Sequence, residues 1–268
     1  MQYFFKSPIG CMAISSHYTI SGDGQPFFFQ HGLGSESSQP QALLKDLDNV
    51  QLISMDCRGH GETPLDHPNQ ISFNQFADDL IELSALLKIN QFILGGISMG
   101  AGVSLNAAIR YPGKVKALIL VRPAWLNKPH PENLHLLEEL AELINNKKGE
   151  SLVNSREFKE LESKEYHTAQ AVLKQLDRKQ PEHTAYLLQR IISDNPFQDL
   201  SQLKSIHIPV LILSSHNDFL HPYRYGPILQ QNIRHSIFKE VPSRYLNNDL
   251  HQEAVLKEVR NFIHEQNL

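Results

Sequence analysis

Cysteine is scarce in this sequence, since only Cys11 and Cys57 stand among 268 residues. Two thiols cannot form a disulfide framework, and such low cysteine usage is typical of a reducing compartment. Long apolar runs are also missing, because the longest ones, such as residues 117–121, are strand-sized and far shorter than a membrane span. The first residues show no basic segment followed by an apolar one, so no secretory signal is predicted. We therefore expect a cytoplasmic protein that does not insert into a membrane.

Neither sign of charge dominates the chain. Lys plus Arg number 25 and Asp plus Glu number 29, which gives a net charge of −4 at pH 7. No run of basic residues marks a stripe that could bind phosphates, so a nucleic-acid partner is not expected. Hydrophobic residues make up 41% and charged residues 20%, values typical of a globular chain rather than a disordered one. A chain of this length can bury a substantial core in one or two domains.

Short apolar segments alternate with segments of helical periodicity along most of the chain. Strands are predicted over 27–30, 51–55, 92–97, 115–121, 210–213 and 236–241. These runs are almost continuously apolar, a pattern typical of parallel strands that are buried on both faces. Helical periodicity predicts helices over 73–87, 99–111 and 249–265. The alternation predicts an α/β fold, a three-layer sandwich around a mostly parallel central sheet.

One long stretch breaks this alternation. Between residues 124 and 203 the sequence shows helical patterns at 131–147, 156–161, 165–177 and 181–193, and no convincing strand. The simplest interpretation is a helical insertion between the fourth and fifth predicted strands. This predicts a core formed by residues 1–123 and 204–268, and an inserted helical part formed by residues 124–203.

The strongest local motif is Gly96-Ile97-Ser98-Met99-Gly100, which joins a predicted strand to a predicted helix. A strand that turns sharply into a helix exposes its central side chain and leaves room only for small residues two positions away. The N-terminus of the helix also offers free N–H groups to developing negative charge. This setting predicts Ser98 as a nucleophile, and the alternative is a chance match in a turn that contains glycine.

A second glycine-containing segment, His31-Gly32-Leu33-Gly34, ends the first of these strands. Such a turn presents backbone N–H groups above the sheet, and an oxyanion hole needs two of them. We expect the N–H groups of Leu33 and Met99 to form that hole, because one donor normally follows the nucleophile and the other comes from this loop. His31 is expected to order the loop. The alternative is a turn in which glycine was selected only for space.

A nucleophilic serine needs a base, and the base needs an acid that orients it. Asp218 lies a few residues past the predicted strand 210–213 and is the expected acid, although it could instead cap the following turn. After the last strand only His251 is available as the base, because His264 lies near the end of the terminal helix. The order Ser98, Asp218, His251 matches the order Ser, Asp or Glu, His of many hydrolases. The alternative for His251 is a partly buried helix histidine without a catalytic role.

Two residues at the end of the fourth strand have a predicted role in binding. Arg122 could pair with a substrate carboxylate, and Trp125 could form one wall of an acyl pocket. The alternative is an arginine that ties the helical insertion to the sheet. The histidines that flank Asp218, His216 and His221, have a spacing that is not a common metal-ligand arrangement, so no metal is expected.

With these motifs in place, the chain resembles the α/β-hydrolase fold family. The motifs that carry the resemblance are His31-Gly32-Leu33-Gly34, Asp56-x-Arg58-Gly59-His60-Gly61, Gly96-x-Ser98-x-Gly100 and Asp218-x-x-x-Pro222. In that family a helical insertion roofs the active site, so the resemblance implies a cap at residues 124–203. Serine at the elbow argues against haloalkane dehalogenases and epoxide hydrolases, which carry aspartate there. The departure is the base: similar enzymes have histidine about where Leu246 lies, about five residues before His251.

The function predicted from these residues is a serine hydrolase of small molecules. It would cleave a carboxylic ester, thioester or lactone through an acyl-enzyme on Ser98, with no metal or organic cofactor. One alternative is a carbon–carbon bond hydrolase of a diketo acid with the same triad and Arg122 as its anchor. Another is a non-catalytic ligand-binding protein on a hydrolase scaffold, which the late position of His251 keeps open. The sequence does not indicate an oligomeric state.

Overall fold

A central sheet of eight strands organises the computed structural model, which describes residues 2–6, 15–65, 70–177 and 181–268. Cys11 lies outside the described residues. The strands are β1 Gln2–Lys6, β2 Ser15–Ser21, β3 Gln25–Gln30, β4 Val50–Met55, β5 Phe92–Ile97, β6 Val115–Val121, β7 Val210–Ser214 and β8 Ser236–Glu240. Their spatial order is β1-β2-β4-β3-β5-β6-β7-β8. Strands β1 and β2 run antiparallel to their neighbours, and the other pairs are parallel.

Both faces of the sheet are buried, which explains the almost continuous apolar runs. Successive side chains of a strand point to opposite faces. In β3, Phe28 therefore packs into one hydrophobic core, whereas Phe27 and Phe29 pack into the other. All three rings are fully buried. A strand in this position needs apolar residues at every position, because neither side of it meets solvent.

Helices of the described residues pack on both faces of the sheet, and further helices fill the stretch between β6 and β7. They are α1 Ser38–Leu43, α2 Phe73–Leu86, α3 Met99–Arg110, α4 His135–Asn145, α5 Arg156–Lys164, α6 Tyr166–Leu173, α7 Pro181–Ile192, α8 Tyr225–Asn232 and α9 Asn248–Glu265. Helices α2, α3 and α8 contribute to the core that contains Phe28, while α1 and α9 contribute to the core on the opposite face. The predicted three-layer α/β fold with a mostly parallel sheet is confirmed.

Four elements were not predicted from the sequence, namely β1, β2, α1 and α8. The sequence of β2 contains two serines and a histidine among its first three residues, so no apolar run marks it. It forms a strand because it pairs with β4 on one side and with β1 on the other. The pairing partner, rather than local composition, determines this part of the sheet.

The described residues between β6 and β7 form helices α4 to α7 and short 3₁₀ segments, and none of them belongs to a strand. Helices α4 and α7 pack against each other through apolar side chains such as Leu140 and Leu188. Among the described helices, none combines the length and the apolar composition that crossing a membrane would require.

Candidate active site

Ser98 occupies a strained turn between β5 and α3. Its backbone has φ 57° and ψ −111°, a conformation that residues with a side chain rarely adopt. The turn closes so tightly that a Cβ atom on Gly96 would lie 2.3 Å from the carbonyl group of Gly100. A Cβ atom on Gly100 would lie 2.3 Å from the carbonyl oxygen of Gln30. The two glycines of the motif are therefore required by contact with backbone, as the sequence predicted.

Substituting Gly96 tests this packing directly. We expect Gly96→Ala to lower the free energy of unfolding by about 1–3 kcal/mol, because backbone atoms must move to admit the methyl group. The matched control is Gly113→Ala, since a Cβ atom there would meet no atom within 4 Å. Urea denaturation of both variants measures the difference. Equal free energies of unfolding for the two variants would contradict the argument.

The imidazole beside Ser98 belongs to His221. Its Nε2 lies 2.9 Å from the Ser98 hydroxyl oxygen, and its Nδ1 lies 2.7 Å from Oδ1 of Asp218. Both Asp218 and His221 stand on the loop that follows β7. Serine, histidine and aspartate thus form a continuous hydrogen-bonded chain above the carboxyl edge of the sheet. A hydroxyl that donates to a neutral imidazole held by a carboxylate has the arrangement of an activated nucleophile.

The structure corrects the predicted base, His251. This residue lies in the first turn of α9, where its Nδ1–H donates to the carbonyl oxygen of Pro242 at 2.7 Å. Burial and the charge of Arg122 lower its pKa to about 4, so the ring is neutral near pH 7. Helix α9 packs on the core that contains Val255 and Val259. His251 therefore ties the start of α9 to the preceding loop, while the ring at Ser98 comes from His221.

A short turn joins Asp218 to His221, and this close spacing could have indicated His221 as the base. The backbone N–H of His221 donates to the carbonyl oxygen of Asp218 at 3.2 Å, which places both side chains on the same side of the loop. The sequence argument considered His221 only as a metal ligand. Its position three residues after the expected acid, immediately before Pro222, is the feature that could have identified it.

The contacts of Arg122 also differ from the predicted ones. Its Nε donates to Oδ2 of Asp218 at 2.6 Å, and its Nη2 lies 2.9 Å from Nδ1 of His221. The side chain is only 2% exposed. The guanidinium is already paired with a carboxylate of the protein, so the predicted role in binding a substrate carboxylate is corrected. Arg122 instead holds Asp218 against the imidazole.

The charges around this chain set its protonation states. Burial favours the neutral form of Asp218, but the charges and hydrogen bonds of Arg122 and His221 outweigh it and lower the pKa of Asp218 from 3.8 to about 2. Burial and the charge of Arg122 lower the pKa of His221, and Asp218 only partly opposes them. Near pH 7 the site therefore holds an ionised aspartate and a neutral imidazole that can accept a proton.

The loop after β3 lies next to Ser98. The Gly32 N–H donates to Oε1 of Gln39 at 2.8 Å, and His31 accepts the Cys57 N–H at Nε2 and donates from Nδ1 to the Gly32 carbonyl oxygen. These bonds order the loop. The N–H of Leu33 in this loop has no acceptor among the described residues.

Met99 is the first residue of α3, so its N–H has no partner within the helix. The two expected oxyanion donors, the N–H groups of Leu33 and Met99, thus stand on the two backbone segments that flank Ser98. Both segments follow strands that are neighbours in the sheet.

The Asp56-x-Arg58 segment has a structural role. Asp56 accepts from Nδ1 of His17 at 2.7 Å and from the Ser37 N–H at 2.6 Å. Arg58 forms a bidentate pair with Asp79, with both distances at 2.7 Å. The two charged residues therefore order neighbouring loops through separate partners rather than through each other.

A cavity of about 240 Å³ opens above Ser98. Trp125, which is 1% exposed, lines it together with His221. The helical insertion contributes the opposite wall, with Leu134, Leu137, Ala171, Lys174, Gln175 and Leu188. The predicted wall residue Trp125 thus lies at the cavity, and its ring packs edge-on against Phe73.

Comparison with known proteins places the chain in a family. The protein family described as serine aminopeptidase, S33, matches residues 25–252. RutD of Rhizobium rhizogenes, named as a candidate carbamate hydrolase, is 26% identical over 218 residues that cover 77% of this chain and 81% of that protein. The fold is similar to that of a thermophilic esterase from Thermogutta terrifontis, with TM-score 0.75, 21% identity and 99% of each chain covered. It is also similar to an enol-lactonase from Burkholderia xenovorans, with TM-score 0.72, 20% identity and coverage of 94% and 97%. The chain belongs to the serine aminopeptidase S33 family of α/β hydrolases, and it is a hydrolytic enzyme.

Proposed function

We propose that this enzyme is a serine hydrolase that cleaves a carboxylic ester, thioester or lactone of a small molecule through an acyl-enzyme on Ser98. The observation that carries the proposal is the 2.9 Å contact between the Ser98 hydroxyl and Nε2 of His221, with Asp218 behind the ring. The cavity volume of about 240 Å³ suits a small substrate.

The proposed mechanism assigns a role to each of these side chains. The Ser98 oxygen attacks the substrate carbonyl while its proton moves to Nε2 of His221. His221 then gives this proton to the leaving alcohol, thiol or ring oxygen, and later activates the water that hydrolyses the acyl-enzyme. Asp218 keeps the imidazole proton on Nδ1, so that Nε2 is the acceptor. The N–H groups of Leu33 and Met99 stabilise the oxyanion, and loss of one such donor costs about 3 kcal/mol in other enzymes.

Arg122 is a positioning residue in this proposal. Its Nη2 would donate to an unprotonated Nδ1 of His221, which is the wrong tautomer for catalysis. The Asp218 carboxylate, at 2.7 Å from the same nitrogen, requires the proton on Nδ1. The carboxylate therefore has to remain in place for the base to work, and the bond from Nε of Arg122 holds it there.

We propose that residues 124–203 act as a cap on a core formed by residues 1–123 and 204–268. Leu137 of α4, Ala171 of α6 and Leu188 of α7 line the cavity above Ser98, which supports this division. Two alternatives lose the observations that favoured them. The non-catalytic scaffold rested on the late position of His251 in the sequence, and the carbon–carbon hydrolase rested on Arg122 as a free anchor.

A fluorophosphonate probe tests the proposed function, because it phosphonylates activated serine hydroxyls. We expect the intact protein to gain one adduct on Ser98, located by peptide mass spectrometry, and Ser98→Ala to gain none. The matched control is Ser35→Ala, since Ser35 lines the same cavity without contacting His221. A folded protein that stays unlabelled, or that is labelled elsewhere, would overturn the proposal.

The labelling rate should also depend on pH. His221 must be neutral to accept the proton, and burial together with the charge of Arg122 lowers its pKa from 6.5, with Arg244 adding a smaller effect. Asp218 opposes this shift and stays ionised. We therefore expect the rate to rise with pH through a midpoint below 6.5 and to be level above neutrality. A midpoint above 7 would contradict this assignment.

A further inference from the structure

The cavity above Ser98 is lined by cations without a matching carboxylate. Arg122, Lys174 and Arg244 lie in its wall, whereas no aspartate or glutamate of the described residues does. Arg122 is neutralised by its pairing with Asp218. Lys174 and Arg244 are both exposed to solvent and form no ion pair with a carboxylate of the described residues, so the field in this partly enclosed space favours an anion.

Arg244 is a cavity-lining cation without a carboxylate partner among the described residues. It lies on the loop after β8, and no carboxylate of the described residues comes within 4.0 Å of its guanidinium. Its guanidinium carbon lies 5.8 Å from the centroid of the Tyr245 ring. Partial burial and the charge of Arg122 lower the pKa of Arg244, and Tyr245 and Asp218 only partly oppose them.

Other groups at the cavity are also hydrogen-bond donors. The indole Nε1 of Trp125 is buried and has no acceptor among the described residues. Lys174, at the end of α6, offers three donors and no acceptor, and no carboxylate of the described chain forms an ion pair with it. The Oε1 atom of Gln175 is buried without a donor among the described residues, so this amide can accept a hydrogen bond as well as donate one. A ligand that only accepts hydrogen bonds matches this lining better than a neutral alkyl chain does.

We infer that the substrate carries a carboxylate group, bound by the guanidinium of Arg244 and the ammonium of Lys174 while its carbonyl group lies at Ser98. This inference rests on the proposed function and names the substrate class of the same site. Arginine suits the task because its planar guanidinium binds a carboxylate through two parallel hydrogen bonds. The role in binding a carboxylate that the sequence analysis predicted for Arg122 is therefore assigned to Arg244, on the loop after β8.

Pairs of esters that differ in charge test the inference. Methyl hydrogen succinate is compared with methyl butyrate, and O-acetylglycolate with propyl acetate, so that the anion lies on the acyl side in one pair and on the alcohol side in the other. Assays at about pH 8 keep His221 neutral in all variants. We expect kcat/KM for the anionic member of at least one pair to exceed that of its neutral partner by about tenfold or more.

The variant Arg244→Gln should remove this preference. We expect it to lower the ratio of anionic to neutral kcat/KM by about 10- to 100-fold, mostly through KM, and Arg244→Lys to restore part of it. The matched control is Arg234→Gln, because Arg234 is exposed just before β8 and does not line the cavity. Calorimetry with Ser98→Ala measures the same preference as a ratio of dissociation constants, without turnover.

Two results would overturn the inference. One is a neutral member that is turned over and bound as well as its anionic partner in both pairs. The other is an Arg244→Gln variant that leaves the ratio unchanged. Either result leaves the proposed function intact where the fluorophosphonate still labels Ser98, whereas an unlabelled Ser98 would count against the function itself.

Discussion

Replacing His221 with alanine is expected to lower kcat by about 10⁴- to 10⁶-fold, because no other ring of the described residues contacts the Ser98 hydroxyl. Without an acceptor at Nε2, the serine proton has no group to move to, and the nucleophile remains a neutral alcohol. The measurement is kcat on a hydrolysed ester, with the rate of fluorophosphonate labelling as a second readout. Both should fall together.

The control for this prediction is His251→Ala. Its ring donates to the Pro242 carbonyl oxygen and is 5% exposed, so the substitution should lower the free energy of unfolding by about 1–3 kcal/mol. Assayed well below its melting temperature, this variant should keep most of the wild-type kcat. The opposite pattern, with activity lost in His251→Ala and kept in His221→Ala, would restore the base predicted from the sequence.

The second large effect is expected for Asp218→Asn, with a loss of about 10⁴-fold in kcat. An asparagine carbonyl or amide no longer requires the proton on Nδ1 of His221. The Nη2 group of Arg122, 2.9 Å away, then favours the unprotonated Nδ1, so that Nε2 carries the proton and cannot accept another. The variant should therefore bind substrate but fail to activate Ser98.

Asp218→Asn should also destabilise the protein. It leaves the buried guanidinium of Arg122 without a counter-ion, which costs about 3–5 kcal/mol in comparable buried pairs. Since the pKa of Asp218 is lowered from 3.8 to about 2, its contribution to stability is present above pH 3.8 and is lost as the pH falls toward 2. Urea denaturation as a function of pH should show the wild type losing its advantage over the variant in this range.

A second buried ion pair allows the loss of stability to be separated from the loss of kcat. Asp79 forms a bidentate pair with Arg58, is 2% exposed, and like Arg58 does not line the cavity above Ser98. We expect Asp79→Asn to lower the free energy of unfolding to a similar extent while kcat falls by less than about tenfold. A comparable loss of kcat in both variants would show that destabilisation, rather than the tautomer of His221, explains the effect of Asp218→Asn.

The elbow could be predicted from sequence because its requirements are local. A Cβ atom on Gly96 would clash with the backbone of Gly100, and one on Gly100 would clash with the backbone of β3. Only glycine fits at these positions, so the requirement is visible in the sequence motif. Asp218 could be placed for a similar reason, since it follows a buried parallel strand and must emerge at its carboxyl edge. The positions of these residues depend on chain direction and on short-range steric contacts, both of which can be inferred from the sequence.

The partners of Arg122 could not be predicted in this way. Strands β6 and β7 are separated by the helical insertion along the chain but are neighbours in the sheet, where Val121 pairs with Leu213. The backbone N–H of Arg122 consequently donates to the Leu213 carbonyl oxygen at 2.7 Å, and its side chain reaches Asp218. Only the strand order reveals that the arginine has a carboxylate within the protein.

The sequence by itself determined the α/β architecture and the positions of the proposed nucleophile and its neighbouring acid, because apolar periodicity, tight turns and chain direction act over short distances. The tertiary structure decided which histidine meets the serine and which arginine pairs with Asp218. Those choices depend on how the loops after β7 and β8 fold over the sheet. A turn at Asp218 brings His221 to Ser98, whereas the path into α9 directs His251 toward the backbone of Pro242.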